Sequence, residues 1–455
     1  MLEALTDTIT ALATPRGKSA IALIRMSGRL SAAILSRIAS VNGKPFREFH
    51  SHRTYRADIT DGNTLIDEAV VVFMKSPESF TGEDSAEIMT HGSPVIIERV
   101  LSLIIRSGAR IAKNGEFTYR AFINGKLDLT EAEAVGDLID STNAYAASQS
   151  AAKLKGRLSS EVKSARDTLT DALVFIEANI DFPDDDTGTF SYDDLAAKLA
   201  DAERSLTELL ARSEIPARYL SGIPVVIAGR VNAGKSSIFN ALAGSEHAIV
   251  TDIEGTTRDV LTATIYIDGI AYVLHDTAGL RAAQDPVEAI GVGRARAELA
   301  NASVVIYVID AHEGMTDADR HEMDALAGKF VICALNKSDL PSAGGLDVIA
   351  AHRIAVSTKN ATGIDELRSA LHAYIPLNDH DIMMNAVYVN ERERSALGRG
   401  IHAINEARAA VLEKRPLDMT AHHVTRGAKA LAEVLGEIRS ADVINEIFSR
   451  FCIGK

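Results

Sequence analysis

The chain has 455 residues, 46% apolar and 24% charged, a balance that suits soluble globular protein and, at this length, more than one core. Its net charge of −14 is uneven, +2 over residues 1–123 and −16 over the rest, so a nucleic-acid partner would need a local basic patch. No apolar run approaches the ~20 residues of a membrane helix, MLEALTDTIT lacks the basic cluster of a signal peptide, and Cys333 and Cys452 alone argue against a disulfide framework; a cytoplasmic protein without a membrane partner is expected.

Up to residue 123, short apolar runs alternate with Gly and Pro turns. Ala20–Met26 closes on Ser27-Gly28, and Ala69–Met74 closes before Ser76-Pro77. Such runs read as strands. Ser93–Ile105 has helical spacing, with Pro94 suited to the first turn. Over residues 129–212 apolar residues recur at three and four, the helical period. The acid-rich stretch 181–188 interrupts this pattern and reads as a solvated loop. Residues 221–378 alternate strand and helix patterns, as a parallel sheet with crossover helices requires. After Pro376 the chain is helical again, over Arg392–Leu412 and Asp442–Phe451. The expectation is a multidomain α+β and α/β protein. An α+β domain at 1–123 precedes a discontinuous helical domain at 124–220 and 379–455, and a Ras-like P-loop domain is inserted at 221–378.

Within that insertion Val225–Ala228 is a short apolar strand, Gly229-Arg-Val-Asn-Ala-Gly234-Lys235-Ser236 follows, and Ile238–Leu242 starts a helix. This is GxxxxGK[ST] in the strand–loop–helix context that it needs. The glycines let backbone N–H groups turn inward around phosphates, and the helix N-terminus adds its positive end. Lys235 supplies a point charge for the β- and γ-phosphates, and Ser236 an oxygen for magnesium. Farther on, the strand Tyr272–Leu274 leads into Asp276, Thr277, Ala278 and Gly279, a DxxG tetrad. Asp276 can hold magnesium through water, and the Gly279 N–H can meet the γ-phosphate. A third strand, Phe330–Leu335, leads into Asn336, Lys337, Ser338 and Asp339. The Asp339 carboxylate can accept from guanine N1–H and N2–H₂, a donor pair that adenine lacks, so the nucleotide is guanine. The Lys337 stem can cover the base plane. Ser357, Thr358 and Lys359, after the strand Ile354–Val356, are placed to buttress the base.

Between P-loop and DxxG lie Thr251, Asp252, Ile253, Glu254, Gly255, Thr256 and Thr257. A threonine here is expected to close on magnesium when GTP is bound; the spacing alone does not choose between Thr256 and Thr257. Leu280 follows DxxG, where Ras-like enzymes carry a water-orienting glutamine, so another group must position the water. Arg281, Gln284, Asp285 and Glu288 are the nearby candidates.

TDIEGTTRDV at 251–260, HDTAGLR at 275–281, the helical flanks and the terminal Phe451-Cys452-Ile453-Gly454-Lys455 together resemble the MnmE (TrmE) family of tRNA-modification GTPases. At the front, Thr8–Gly28, Phe80–Glu87, Gly115–Phe122 and Asn124-Gly-Lys126-Leu-Asp-Leu are similar to that family's N-terminal motifs, so the likeness spans the whole chain. It implies a folate-binding and dimerising N-terminal domain, with Arg25, Glu87, Lys126 and Lys455 as the matching folate residues, and a functional thiol at Cys452. It implies potassium in place of an arginine finger, held by Asn232, Thr251, Ile253 and Thr256. Thr257 then joins Ser236 on magnesium, and Glu288 becomes the residue that orients water. The expected GTP or GDP site comprises Asn232, Ala233, Gly234, Lys235, Ser236 and Ser237, the 251–257 and 276–279 segments, Asn336, Lys337, Asp339 and Ser357–Lys359. Val231 stands where the family commonly has Pro, which adds an N–H to the loop.

The resemblance also implies a homodimer whose G domains meet face to face, and a flavoprotein partner of the MnmG type that carries FAD in a heterotetramer or larger assembly. The substrate implied is the wobble uridine of certain tRNAs, modified at C5 with a 5-formyl or 5,10-methylene tetrahydrofolate. The other reading is a regulatory or ribosome-assembly GTPase with a folate-type domain kept for dimerisation. A terminal Cys-x-Gly-Lys favours the first.

Overall fold

A computed structural model describes residues 6–42, 44–45, 50–141, 143–181, 191–220, 222–244, 248–249, 261–267, 270–276, 302–342, 352–374, 386–438 and 441–454. It divides into two compact units. One comprises residues 1–140, 150–209 and 390–455; the other comprises 141–149 and 210–389. These borders differ from the domain limits read in the sequence. The sheet of the first 123 residues and the later helices cluster in one unit. The second unit takes in 141–149, where Tyr145 packs on its core.

The first unit holds an eight-stranded sheet of β1 (Thr8–Leu12), β2 (Ser19–Ser27), β3 (Ala39–Val41), β4 (Lys44–Pro45), β5 (Thr54–Asp61), β6 (Thr64–Met74), β7 (Ser85–Gly92) and β8 (Ala109–Ile111). Their order is β4-β3-β5-β6-β7-β2-β1-β8, antiparallel except for β1 against β8. Period-two patterning drives it: Ala22, Ile24 and Met26 of β2, Ala69, Val71 and Phe73 of β6, and Ala86 and Ile88 of β7 are all buried. The helices Ser31–Ile38 and Pro94–Arg106 pack Ile34, Leu35, Ile38, Ile97, Val100 and Ile104 into the same core. Pro94 occupies the first helical turn as expected.

The helical part of this unit is built from Leu129–Asp140, Arg157–Asp181, Glu391–Leu412 and Leu417–Leu435. Two glycines set how closely the last three approach. A Cβ at Gly400 would sit 3.1 Å from Leu431 Cδ2, and one at Gly427 would sit 3.2 Å from Leu169 Cδ1. The last helix, Ala441–Ser449, lays Phe448 edge-on to Tyr119, centroids 5.3 Å apart, and beside Phe122. The last helix thereby packs against the helix Glu116–Ile123.

The second unit is an α/β domain. Its strands are β9 (Ile223–Gly229), β10 (Ala248–Ile249), β11 (Leu261–Ile267), β12 (Ile270–Asp276), β13 (Val304–Asp310), β14 (Phe330–Asn336) and β15 (His352–Ala355). The order is β10-β11-β12-β9-β13-β14-β15, with β12, β9, β13, β14 and β15 parallel. The helices Lys235–Ala243, Asp317–Asp324 and Ile364–His372 belong to the same unit. β13 is buried at every residue, as a central parallel strand must be. Cys333 of β14 lies in this core, where burial pushes its thiol up to about 12. In such sheets ligands bind beyond the carboxyl ends of the strands, where the order reverses. Here that place is the end of β9, between β12 and β13.

Candidate nucleotide site and the chain-end cluster

The loop after β9 begins at Gly229, which has φ +132 and no room for a Cβ, because it would collide with Val308 O of β13. Asn232 and Gly234 are also left-handed, at φ +64 and +96. A backbone turned in this way directs successive N–H groups into one concavity, and the helix Lys235–Ala243 starts from it. Lys235 Nζ donates to Gly229 O (3.0 Å) and Arg230 O (2.7 Å), so the ammonium lies over the loop. Ser236 Oγ donates to Asp276 Oδ2 at 2.7 Å, and Asp276, the last residue of β12, is buried. Two oxygen groups thus converge at the helix N-terminus, the ligand type that a hard cation such as magnesium takes.

The base-recognition loop is tied to the P-loop through Asn336, whose Nδ2 donates to Ala233 O at 2.9 Å. A Cβ on Gly234 would strike that same Nδ2. Asp339 accepts from Ser357 Oγ at 2.7 Å, and this bond holds its carboxyl below the ordinary carboxylate range. Ser357 is fixed in turn by the bridge Ser357–Thr362. The serine therefore holds the Asp339 carboxylate in one orientation. Lys359 is exposed and adds its charge nearby.

Two further side-chain ties surround this site. Arg230, inside the P-loop, reaches outward: its Nε lies 3.1 Å from Asp319 Oδ1 and its Nη2 donates to Gly314 O at 3.1 Å. Asp319 is fully buried and caps the helix Asp317–Asp324 in a reciprocal bond with Thr316. Asp310, the last residue of β13, accepts from Lys337 Nζ at 2.6 Å. Burial pushes the Asp310 carboxyl up, but the Lys337 ammonium and the N–H groups of His312 and Glu313 outweigh it and hold it low.

In the first unit Arg25 of β2 pairs across the sheet with Glu87 of β7, Nη2 to Oε1 at 3.0 Å. Its Nη1 donates to Gly454 O at 3.2 Å, and its guanidinium lies 5.5 Å from the Phe117 ring centre. The tail is held by a bridge between Ile453 and Asn114, and by Gly454, whose φ of +97 and contact with Leu12 O leave no space for a Cβ. Cys452 is exposed in this tail.

A family model described as the N-terminus of the GTP-binding protein TrmE matches residues 8–126, and one described as the MnmE helical domain matches residues 129–452. The tRNA modification GTPase MnmE of Brachyspira hyodysenteriae is 40% identical, with 99% of this chain and 98% of that one covered. The protein of the same name from Streptococcus thermophilus is 36% identical over 99% of this chain and 98% of its own. The chain belongs to the MnmE family. It is a GTPase.

In this member of the MnmE family the described residues of the expected nucleotide site lie along one edge of the sheet. Asp276 and Asn336 end β12 and β14, and Asn232–Ser237, Lys337, Asp339 and Ser357–Lys359 follow the carboxyl ends of β9, β14 and β15. Residues 251–257, Thr277, Ala278, Gly279, Glu288 and Lys455 lie outside the described residues. Arg25, Glu87 and the Cys452–Gly454 tail are brought together. Lys126 donates instead to Pro77 O at 3.1 Å, and no hydrogen bond or ion pair among the described residues joins it to Arg25 or Glu87. Arg230, Asp310 and Asp319 were not expected from the sequence, because none of the motifs includes their side chains. Among the described residues no helix is long and apolar enough to cross a membrane.

Proposed function

We propose that the chain is a potassium-activated GTPase that acts with a flavin-dependent partner of the MnmG type on the wobble uridine of certain tRNAs, using a one-carbon tetrahydrofolate for the C5 substituent. The observation that carries this reading is the position of Arg25, which contacts both Glu87 and the carbonyl of Gly454, 429 residues away in sequence. A GTPase that only signals or assembles ribosomes has no use for a Cys452–Gly454 segment whose Gly454 sits against Leu12 of β1 and Arg25 of β2. Arg25 can pair with a carboxylate tail, Glu87 can accept from pterin N–H groups, and Lys126 and Lys455 are the proposed further contacts.

In the nucleotide site, the left-handed P-loop and Lys235 bind phosphate, Asp339 accepts from guanine, and Ser357 keeps that acceptor aimed. Ser236 and Thr257 are the proposed magnesium ligands; Asn232, Thr251, Ile253 and Thr256 are those for potassium, and Glu288 orients water. The two cations supply positive charge against the charge that develops on the phosphate oxygens. Arg230 is committed to Asp319 and Gly314, so it does not act as an arginine finger within its own P-loop, which supports a cation in that role. Homodimerisation and the domain limits 1–123, 124–220, 221–378 and 379–455 belong to the same proposal.

Nucleoside analysis of tRNA from cells lacking the protein tests it. The expected result is loss of the modified wobble uridine, restored by the wild-type chain and not by Cys452→Ser. Unchanged tRNA would leave the regulatory reading. Equal GTPase rates in sodium and potassium would sink the potassium assignment.

A further inference from the structure

We propose that Asp310 is a positioning residue for guanine-nucleotide binding that acts through Lys337. The inference rests on the reading of Asn336–Asp339 as the guanine site. Asp310 lies outside every nucleotide motif in the sequence. It ends β13 and is the register partner of Asn336, the first residue of the base-recognition loop. Its side chain is 4% exposed, and both oxygens are engaged. Oδ1 accepts the N–H groups of His312 (2.9 Å) and Glu313 (3.4 Å), and Oδ2 accepts Lys337 Nζ at 2.6 Å.

Lys337 needs such a partner. It stands at φ +61, in a loop beyond the end of β14, and its side chain is 38% exposed. A lysine stem is flexible and loses rotamer freedom when it is ordered. Pinned at its ammonium, the stem is extended along one line before any base arrives, so the ordering cost is not charged to binding. A buried carboxylate beneath the ammonium also keeps the apolar part of the stem, rather than the charge, available to an aromatic plane.

The segment that carries Asp310 is itself anchored. Ala311 N donates to Asn336 O at 2.8 Å. At the other end, Gly314 O and the buried Asp319 hold Arg230 of the P-loop. Asp319 is fixed by Thr316 and lies 3.2 Å from Tyr307 Oη. One short segment thus fastens to Lys337 at its start and to the P-loop at its end. Asp310 sits on a framework stiff enough to aim a lysine.

The test is binding of a fluorescent GDP analogue to the full-length chain. Asp310→Asn keeps the Oδ1 acceptor and the shape but removes the charge, and should weaken binding about tenfold, the scale of one charge-assisted hydrogen bond. Lys337→Met should weaken it by a similar factor, and Asp310→Asn should add nothing in the Lys337→Met background. A merely structural role would give the same factor in both backgrounds and would overturn the proposal. Should Asp310→Asn not fold, Lys337→Arg is compared with Lys337→Met. Arginine keeps a cation for Asp310 and should bind about tenfold tighter than methionine; equal affinities overturn the proposal. A wild-type chain that binds no GDP analogue would overturn the guanine-site reading as well. Tight binding by both wild type and Asp310→Asn overturns the Asp310 proposal alone.

Discussion

A Lys153→Met substitution would remove the ammonium partner of a buried carboxylate while keeping much the same side-chain volume. Lys153 and Glu393 both have fully buried side chains, and Nζ lies 2.9 and 3.1 Å from the two carboxylate oxygens. Glu393 also accepts from Asn390 N at 2.9 Å and so caps the helix Glu391–Leu412. Burial already pushes Glu393 up to about 7, with Glu133 adding to the shift. Without Lys153 it would take a proton at neutral pH. Breaking a buried ion pair from one side costs about 3–5 kcal/mol, and protonation of the carboxyl brings the figure toward the lower end. At roughly 2–4 °C per kcal/mol for a unit of this size, melting should fall by about 6–12 °C. The assay is thermal unfolding followed by far-UV circular dichroism, read as the helical transition, since a chain of two units need not unfold in one step. Lys153→Met with Glu393→Gln removes both charges and keeps a capping acceptor, so it should recover half of the loss or more. A shift under about 2 °C for the single variant, or a double variant that melts no higher, would refute the reasoning.

Gly234→Ala should cost about tenfold or more in GDP affinity by calorimetry, because its φ of +96 strains alanine by about 1–3 kcal/mol and its Cβ displaces Asn336. Burial pushes Glu116 up, but hydrogen bonds from Arg110, Lys113 N–H and Arg120 outweigh it and hold the carboxyl below its ordinary 4.5. Its stabilisation is therefore present above the unfolded value and lost as pH falls below it. Glu116→Gln should flatten the acid limb of a stability profile, and an unchanged limb would refute that. Gly454→Ala should lift the tail from Leu12 and weaken binding of 5-formyltetrahydrofolate in equilibrium dialysis; unaltered binding would detach the tail from the folate site.

The residues proposed to bind phosphate and to read the base could be nominated from the sequence because each motif carries its own local cause. Gly229, Gly234 and the helix after them make a phosphate cradle from a few adjacent residues. Strand limits were less legible. Gly229, Asp276 and Asn336 belong to β9, β12 and β14 by ladder register, yet none has the apolar character that marks a strand. The unit border inside the helix Ala144–Leu154 leaves no trace in the helical period, since the same spacing of three and four serves whichever core the helix faces. The role of Ser357 was blurred for a related reason: its partner Asp339 is 18 residues away, and only the bond shows that it acts on the carboxylate.

Side chains that act through a distant partner are harder still. Lys337 and Asp310 are 27 residues apart, Arg230 and Asp319 are 89, and Lys153 and Glu393 are 240. A single sequence offers no means of telling Asp310 from Asp317, since most acids are solvated. Strand order supplies the missing criterion. Four neighbouring parallel strands end in Gly229, Asp276, Asp310 and Asn336, all on the edge where an α/β sheet binds its ligand. Three of those residues belong to nucleotide motifs. The fourth is buried, charged and bonded to the lysine of the base-recognition loop. Its position in the sheet, which no local pattern encodes, is what marks Asp310 as part of the nucleotide machinery.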